Sequence, residues 1–436
     1  MTNDRDEETK EEPPFSIQCI QDLENTSNLS RVLDLPPESI RNVNVQTLAE
    51  SDPDAIDGVL SKVYQVSIDC DEKCHESFIV KFQRSEPSMQ QEPFVSMMEI
   101  ESNFHNIFPD LWKSKGLDLS FRLPVVRYAN SHCILMEKVQ DISPGIHSID
   151  SNPHAKGLIG TVLGKVAGLH AAFWNDEVLQ KEACHLSPFP GMGAYLNGEQ
   201  KEEMFTDACE IFCNYVRRTE NEEHILGTFT SEERQRFHDI CTDFSHRRLR
   251  YIHKYVHEQE QFALVHGDLH FGNMLFRRSS SQSEDIKQKK QDIYLIDWAT
   301  CGRGNPMRDI AFFRILCMDV DEREVIDSYL PQYYSNLCDA YDIQRHHHTN
   351  CQQKGIKDTF TLKACQESYD MCILNQFLIF ICYHELTESF IHQKGIEEEV
   401  RVSRSRHFQG VYRRCIKALL QSYSRAKARF QLPPTI

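Results

Sequence analysis

The sequence predicts an α+β chain whose strands are gathered in its first part and followed by a mainly helical remainder. Three patterns point there. From Val63 to Ile68 and from Ser77 to Phe82, β-branched and aromatic residues form two short runs. The polar stretch Asp69–Cys74 separates them, which is a hairpin signature. Residues 94 to 108 put Phe94, Met97, Met98, Glu101, Phe104 and Phe108 at helical spacing, and Arg122 to Val139 return to strand-like runs ending in Ile134-Leu-Met-Glu-Lys-Val139. Beyond Val139 helical patterns dominate, broken by one β segment between residues 262 and 297.

In chain order, residues 1–14 are rich in Asp, Glu and Lys and end in Pro13-Pro14, the composition of a solvated acidic tail. Residues 15–138 form the sheet-bearing part and 139–436 the helical part. Two polar inserts interrupt the latter, at 277–291 and 341–358. Neither can bury a core, so both are expected to be surface loops. The second carries His346-His-His348. Three adjacent imidazoles cannot converge on one ion, which favours a solvated loop over a metal site. The apolar stretch Ile373–Tyr383 falls well short of the ~20 residues of a membrane span and reads as a buried helix.

Charge and cysteines narrow the function classes. With 65 acidic and 48 basic residues the chain carries a formal charge of −17, which repels phosphate backbones and argues against nucleic acid as a partner. Met1–Glu8 holds no apolar segment of the kind a secretory leader needs, so a cytoplasmic location is expected. The 16 cysteines are scattered, and their spacing matches neither a disulfide framework nor a zinc site.

The chemistry concentrates in Phe262-Ala-Leu-Val-His266-Gly-Asp268-Leu-His-Phe-Gly-Asn273-Met-Leu-Phe276. Apolar runs on both sides suggest two strands delivering a polar loop at their ends. Asp268 and Asn273 have the D-x-x-x-x-N spacing of a phosphotransferase catalytic loop. There the carboxylate orients an attacking hydroxyl and accepts its proton, and the amide oxygen binds magnesium. A second apolar strand then ends in Ile296-Asp297-Trp298. Asp297 is a carboxylate suited to bridge Mg²⁺, an ion that takes few protein ligands and shares its other sites with phosphates and water. The joint occurrence of the two motifs, in this order and at a hairpin's separation, makes the assignment specific.

At these residues the chain resembles the aminoglycoside phosphotransferase and choline kinase-like superfamily, and more closely its ecdysteroid-kinase-like (CHK-kinase-like) branch. His266-Gly-Asp268 and Ile296-Asp297-Trp298 carry the resemblance, with Leu169-His170-Ala-Ala-Phe-Trp174, Gly302-Arg-Gly304 and Asp309-Ile-Ala. It covers residues 55 to 400 in motif order and implies a protein-kinase-like, two-lobed fold with a small β-rich N-lobe and a mainly helical C-lobe. It further implies ATP and Mg²⁺ as cofactors. Lys81 would hold the α/β-phosphates. Glu101 would pair with that lysine in preference to Glu99, which lies on another helix face. Met136 and Lys138 fall at the hinge that meets adenine, Ser61 falls in the phosphate-covering loop, and His266 and Asp309 support the catalytic loop. The phosphate-covering loop, Gly58–Val63, keeps a single glycine and departs from a G-x-G pattern.

A protein kinase would show H-R-D, D-F-G and a long activation segment. Here Gly267 and Trp298 replace the arginine and phenylalanine, and Asp309 follows Asp297 by twelve residues. A small-molecule hydroxyl is therefore the expected phosphate acceptor, in a pocket lined from Pro188–Tyr195 and Phe377–Tyr383. Two other readings stand beside it: a nucleotide-binding scaffold that has lost transfer, and a metal hydrolase built on His266, Asp268 and His270.

Overall fold

The structure is a computed structural model that describes residues 16–48, 61–70, 75–83, 94–117, 120–142, 154–182, 198–218, 222–244, 246–258, 260–277, 292–347, 355–382, 384–392 and 398–430. The acidic tail, Gly58, the Pro188–Tyr195 segment, His348, Tyr383 and residues 278–291 of the first insert lie outside them. The chain divides into two compact units, one running to Ser102 and including Val125–Lys138, the other comprising Asn103–Pro124 and Val139–Ile436. The α+β organisation, sheet first and helices after, is the predicted one.

In the first unit the described strands are β1 (Ile40–Thr47), β2 (Ser61–Cys70), β3 (His75–Gln83), β4 (Val126–Ala129) and β5 (Cys133–Glu137), all antiparallel in the order β1-β2-β3-β5-β4. The hairpin β2–β3 outruns its apolar segments, because backbone pairing continues through polar residues from Ser61 opposite Gln83 to Asp69 opposite His75. Strand β1 was not anticipated. It is an edge strand whose Arg41, Asn42, Asn44 and Gln46 are exposed while Val43 and Val45 are half-buried, too weak an alternation to stand out. Two short helices, Ile20–Glu24 and Thr26–Leu33, precede it.

The period of two along the strands selects one face for the core. Val66 and Ile68, Phe78, Val80 and Phe82, and Cys133 and Leu135 are buried with Ile17, Leu23 and Leu29 from the chain ahead of the sheet. Each such aliphatic or aromatic side chain stabilises the fold by about 1.5–3 kcal/mol when fully buried. Lys81 falls between Val80 and Phe82 and so belongs to the opposite face. The helix Phe94–Ser114 outruns its predicted end and continues through Pro109, with Phe104, Phe108 and Trp112 buried at helical spacing.

The second unit is mainly helical. Its short strands form two ladders, β6 (Ala263–Val265) against β9 (Gly302–Gly304), and β7 (Met274–Phe276) against β8 (Ile293–Leu295). The helices include His154–Ala172, Met307–Cys317, Leu330–His347, Leu362–Cys382 and Glu398–Phe430. Ile373 and Leu374 are fully buried in the fourth of these, as their pattern predicts. No described helix is long and apolar enough to cross a membrane. The described cysteines are free thiols.

One expectation needs correction. Residues 341–347, read as the start of a loop, are the end of the helix Leu330–His347, and Ile356–Thr359 form a further short helix. Polarity misled here: the exposed end of a helix is as polar as a loop, and composition alone does not tell them apart.

Candidate active site

The β7–β8 ladder sets Asn273 beside the segment that carries Asp297. Met274 pairs with Leu295. The ladder continues one step further as the Ile296 N–H donates to the Asn273 carbonyl at 3.0 Å. Asn273 therefore ends one strand beside the segment that carries Asp297. Asp297 sits at φ +63°, the left-handed region, where a non-glycine residue costs of order 1–3 kcal/mol unless its surroundings impose it. Trp298 imposes it from the next position. The indole is fully buried, its Nε1–H donates to the Leu295 carbonyl at 3.2 Å, and its ring stacks on Phe104 at 4.0 Å.

Asp268 is hydrogen-bonded to this asparagine. The amide Nδ2 of the buried Asn273 donates to the Asp268 carbonyl at 2.9 Å and to its Oδ2 at 3.1 Å. With its amide nitrogen so engaged, Asn273 retains Oδ1, a neutral oxygen, for a cation. One amide oxygen and one carboxylate form the hard, incomplete donor set that Mg²⁺ uses when phosphates and water complete its shell. Among the described residues, no group of three or more His, Cys, Asp or Glu side chains is arranged to hold an ion. The Asp268 carboxyl feels two opposed effects. Burial raises its pKa, but the neighbouring His270, with His266 and the Asn273 amide, outweighs it and holds the group below the usual carboxylate range.

The loop itself is held from behind. His266 is fully buried and uses both ring nitrogens: Nε2–H donates to the Ile296 carbonyl at 2.9 Å, and Nδ1 accepts the Asp268 N–H at 3.3 Å. That pattern fixes the neutral tautomer, in keeping with a pKa that burial pushes down. A ring so engaged has no nitrogen left for a metal. Asp309, on the helix Met307–Cys317, accepts the N–H of His266 through Oδ2 and that of Gly267 through Oδ1, each at 2.8 Å. Burial alone would raise its pKa, but His170, His266 and these donors keep it below the ordinary value.

Gly267 explains the H-G-D sequence. It has φ +83°, and a Cβ there would stand 2.3 Å from the Thr300 carbonyl oxygen, so no other residue fits without moving backbone. The Thr300 hydroxyl donates to the His266 carbonyl at 3.1 Å and closes the same corner.

In the first unit, Lys81 on β3 donates to Glu101 Oε2 at 2.6 Å, both side chains being largely buried at 12% and 1% exposure. Glu99 is exposed. Lys81 stands opposite Val63 on one side and Ile134 on the other. Ser61 is the buried first residue of β2, paired with Gln83; the expectation that it lies in a loop is corrected by the extra length of the hairpin. Met136 pairs with Ile79 and Val126 inside the sheet. The N–H groups of Glu137 and Lys138 donate to the carbonyls of Val125 and Ser77, and the Lys138 ammonium donates to Gln65. The ladder thus occupies the backbone donors of Glu137 and Lys138.

Residues the sequence reading left without a role complete the site. The Nε2–H of His170 meets Asp309 Oδ2 at 3.1 Å, and its Nδ1 pairs with the Tyr333 hydroxyl at 2.7 Å, all three groups fully buried. His170 was visible only inside a motif. Nothing in local spacing says that it reaches a residue 139 positions away. Of the expected acceptor lining, Phe377 is buried against Phe212, Phe237 and Phe244 and belongs to the core. Phe380 instead stacks on Phe312, whose ring centroid lies 6.4 Å from that of His270; both phenylalanines are half-buried.

Comparison with solved structures finds similar chains of low identity. Macrolide 2'-phosphotransferase MphH from Brachybacterium faecium is 13% identical, covering 89% of this chain and 97% of its own, with a TM-score of 0.35. Choline kinase from Cryptosporidium parvum is 11% identical, covering 90% and 92%, with a TM-score of 0.42. The streptomycin-ATP-APH(2")-IIa ternary complex is 12% identical, covering 88% and 99%, with a TM-score of 0.36. Comparison with curated proteins gives no match. The family model described as ecdysteroid kinase-like matches residues 55–345, more than half of the sequence, and the chain belongs to the ecdysteroid kinase-like family.

Proposed function

We propose that this protein is an ATP- and Mg²⁺-dependent phosphotransferase that moves the γ-phosphate to a hydroxyl group of a small molecule. The observation that carries the reading is Asn273 standing across the β7–β8 ladder from Ile296, next to Asp297, with Asp268 hydrogen-bonded to the same asparagine. Bound Mg²⁺ would neutralise charge on the transferring phosphoryl group. Asn273 Oδ1 and the Asp297 carboxylate are the groups that would hold it.

Asp268 is the group that faces the acceptor. Its pKa lies below the ordinary range, so it is ionised at neutral pH and acts as a hydrogen-bond acceptor that aligns the alcohol and takes its proton as the bond to phosphorus forms. Lys81, steadied by Glu101, is suited to the α/β-phosphates. Met136 and Lys138 would contribute backbone shape at the adenine end, with Ser61 supporting the first residues of β2. The half-buried Phe312 and Phe380 give the acceptor side an apolar wall, which suits an alcohol on a hydrophobic skeleton.

The test is incubation of cell extract with the protein and γ-labelled ATP, followed by metabolite profiling. A new phosphate ester that is absent with Asp268→Ala supports transfer. Stabilisation of the protein by MgATP with no labelled ester from any extract would instead favour a nucleotide-binding scaffold.

A further inference from the structure

Asp268 is followed two positions later by a second ionisable group, and the chain goes to some length to fold that group back. His270 caps the short 3₁₀ turn Phe271–Asn273, and its Nδ1 accepts the Gly272 N–H at 3.0 Å. Gly272 makes this fold-back sterically feasible: a Cβ there would stand 2.7 Å and 2.8 Å from the Cε1 and Nδ1 atoms of the imidazole. With Nδ1 used as an acceptor, the proton of the neutral ring sits on Nε2. That nitrogen lies 3.6 Å from Asp268 Oδ2. Such a separation is loose for a hydrogen bond, and catalytic pairs without substrate commonly show it.

Asn273 Nδ2 reaches the same oxygen at 3.1 Å. Two donors thus converge on Oδ2, and Oδ1 is the oxygen left for an incoming hydroxyl. We propose that His270 is a positioning residue that, with Asn273, fixes the Asp268 carboxylate so that Oδ1 alone receives the alcohol. This rests on the phosphotransferase reading of Asp268. As the alcohol oxygen bonds to the γ-phosphorus and the bridging oxygen leaves with ADP, the alcohol proton passes to Oδ1, and Oδ2 keeps its two donors throughout. The ring also neighbours Phe312, with centroids 6.4 Å apart, and Phe312 is itself stacked on Phe380.

The experiment uses the full chain with MgATP and a panel of alcohols, water serving as the basal acceptor, and compares wild type with His270→Ala, His270→Gln, Gly272→Ala and Asp268→Ala. His270→Ala and Gly272→Ala are expected to lower kcat by about 10- to 100-fold while leaving KM for MgATP unchanged, the size of effect expected from misaligning a reacting group. His270→Gln, which keeps a side-chain N–H, should recover most of the loss. Wild-type kcat in His270→Ala, or a glutamine variant no better than alanine, overturns the proposal. Turnover unaffected by Asp268→Ala would instead overturn the phosphotransferase reading itself. Independently of turnover, side-chain ¹⁵N NMR should find His270 protonated on Nε2 and bare at Nδ1. An Nδ1–H tautomer in the wild type overturns the positioning role.

Discussion

Asp309 Oδ1 accepts the backbone N–H of Gly267 at 2.8 Å, across 42 residues of sequence. The carboxylate thereby fixes the peptide just ahead of Asp268, at a glycine whose φ of +83° no larger residue adopts comfortably. Rigidity at this point would serve the proposed phosphoryl transfer, in which positioning rather than bond chemistry is the protein's main contribution.

Gly267→Ala tests that corner. The left-handed conformation and the 2.3 Å approach to the Thr300 carbonyl together should destabilise the protein by about 3 kcal/mol. The measurement is the denaturant midpoint at constant m-value, and phosphotransfer should fall with it. A midpoint equal to wild type would mean that the loop relaxes freely.

The buried acids and histidine set a pH dependence. Asp268 and Asp309 have pKa values depressed in the folded state, so their contribution is present above the unfolded value of about 3.8 and lost as pH falls through the lower folded value. His266 is also depressed. An unfolded histidine titrating near 6.5 takes up a proton that the buried ring refuses, so its contribution is complete above 6.5 and declines as pH falls toward the folded value. Stability should therefore begin to drop below pH 6.5 and drop further below about 4. In His266→Asn the first of these declines should shrink, as read by urea unfolding at a series of pH values.

Lys81 and Glu101 form a largely buried pair, so removing one partner costs more than removing both. Lys81→Met leaves the carboxylate without its ammonium partner and should destabilise by about 3 kcal/mol, with Lys81→Met/Glu101→Leu less affected. Each single variant should weaken ATP binding by about 10- to 100-fold. Calorimetric titration with ATP supplies the second readout, and a double-mutant cycle the first.

Asp297→Asn keeps the side-chain shape and removes the charge. Transfer should fall by about 100- to 1,000-fold, and the thermal stabilisation that MgATP gives beyond metal-free ATP should disappear. Equal stabilisation of wild type and variant by MgATP would remove Asp297 from the metal site.

Much of this was legible in residue order. The hairpin at 61–83 and the helix after it announced themselves because a half-buried strand alternates every two residues and a helix repeats every 3.6. Asp268, Asn273 and Asp297 were legible because apolar strands on either side leave only a few positions where polar residues can gather. Strand β1 was not, since an edge strand with polar residues at every other position lacks a strong apolar signal.

The sequence by itself determined which chemistry is available: one carboxylate set five residues before an amide, and a second carboxylate at the end of an apolar strand. Tertiary structure alone decided which oxygen of Asp268 is occupied and that His170, Tyr333 and Asp309 form one buried chain behind the loop. The physical reason is range. Periodicity is set by neighbours within a turn or a strand, whereas hydrogen bonds spanning 42 to 163 residues depend on how packed elements meet, which no local pattern records.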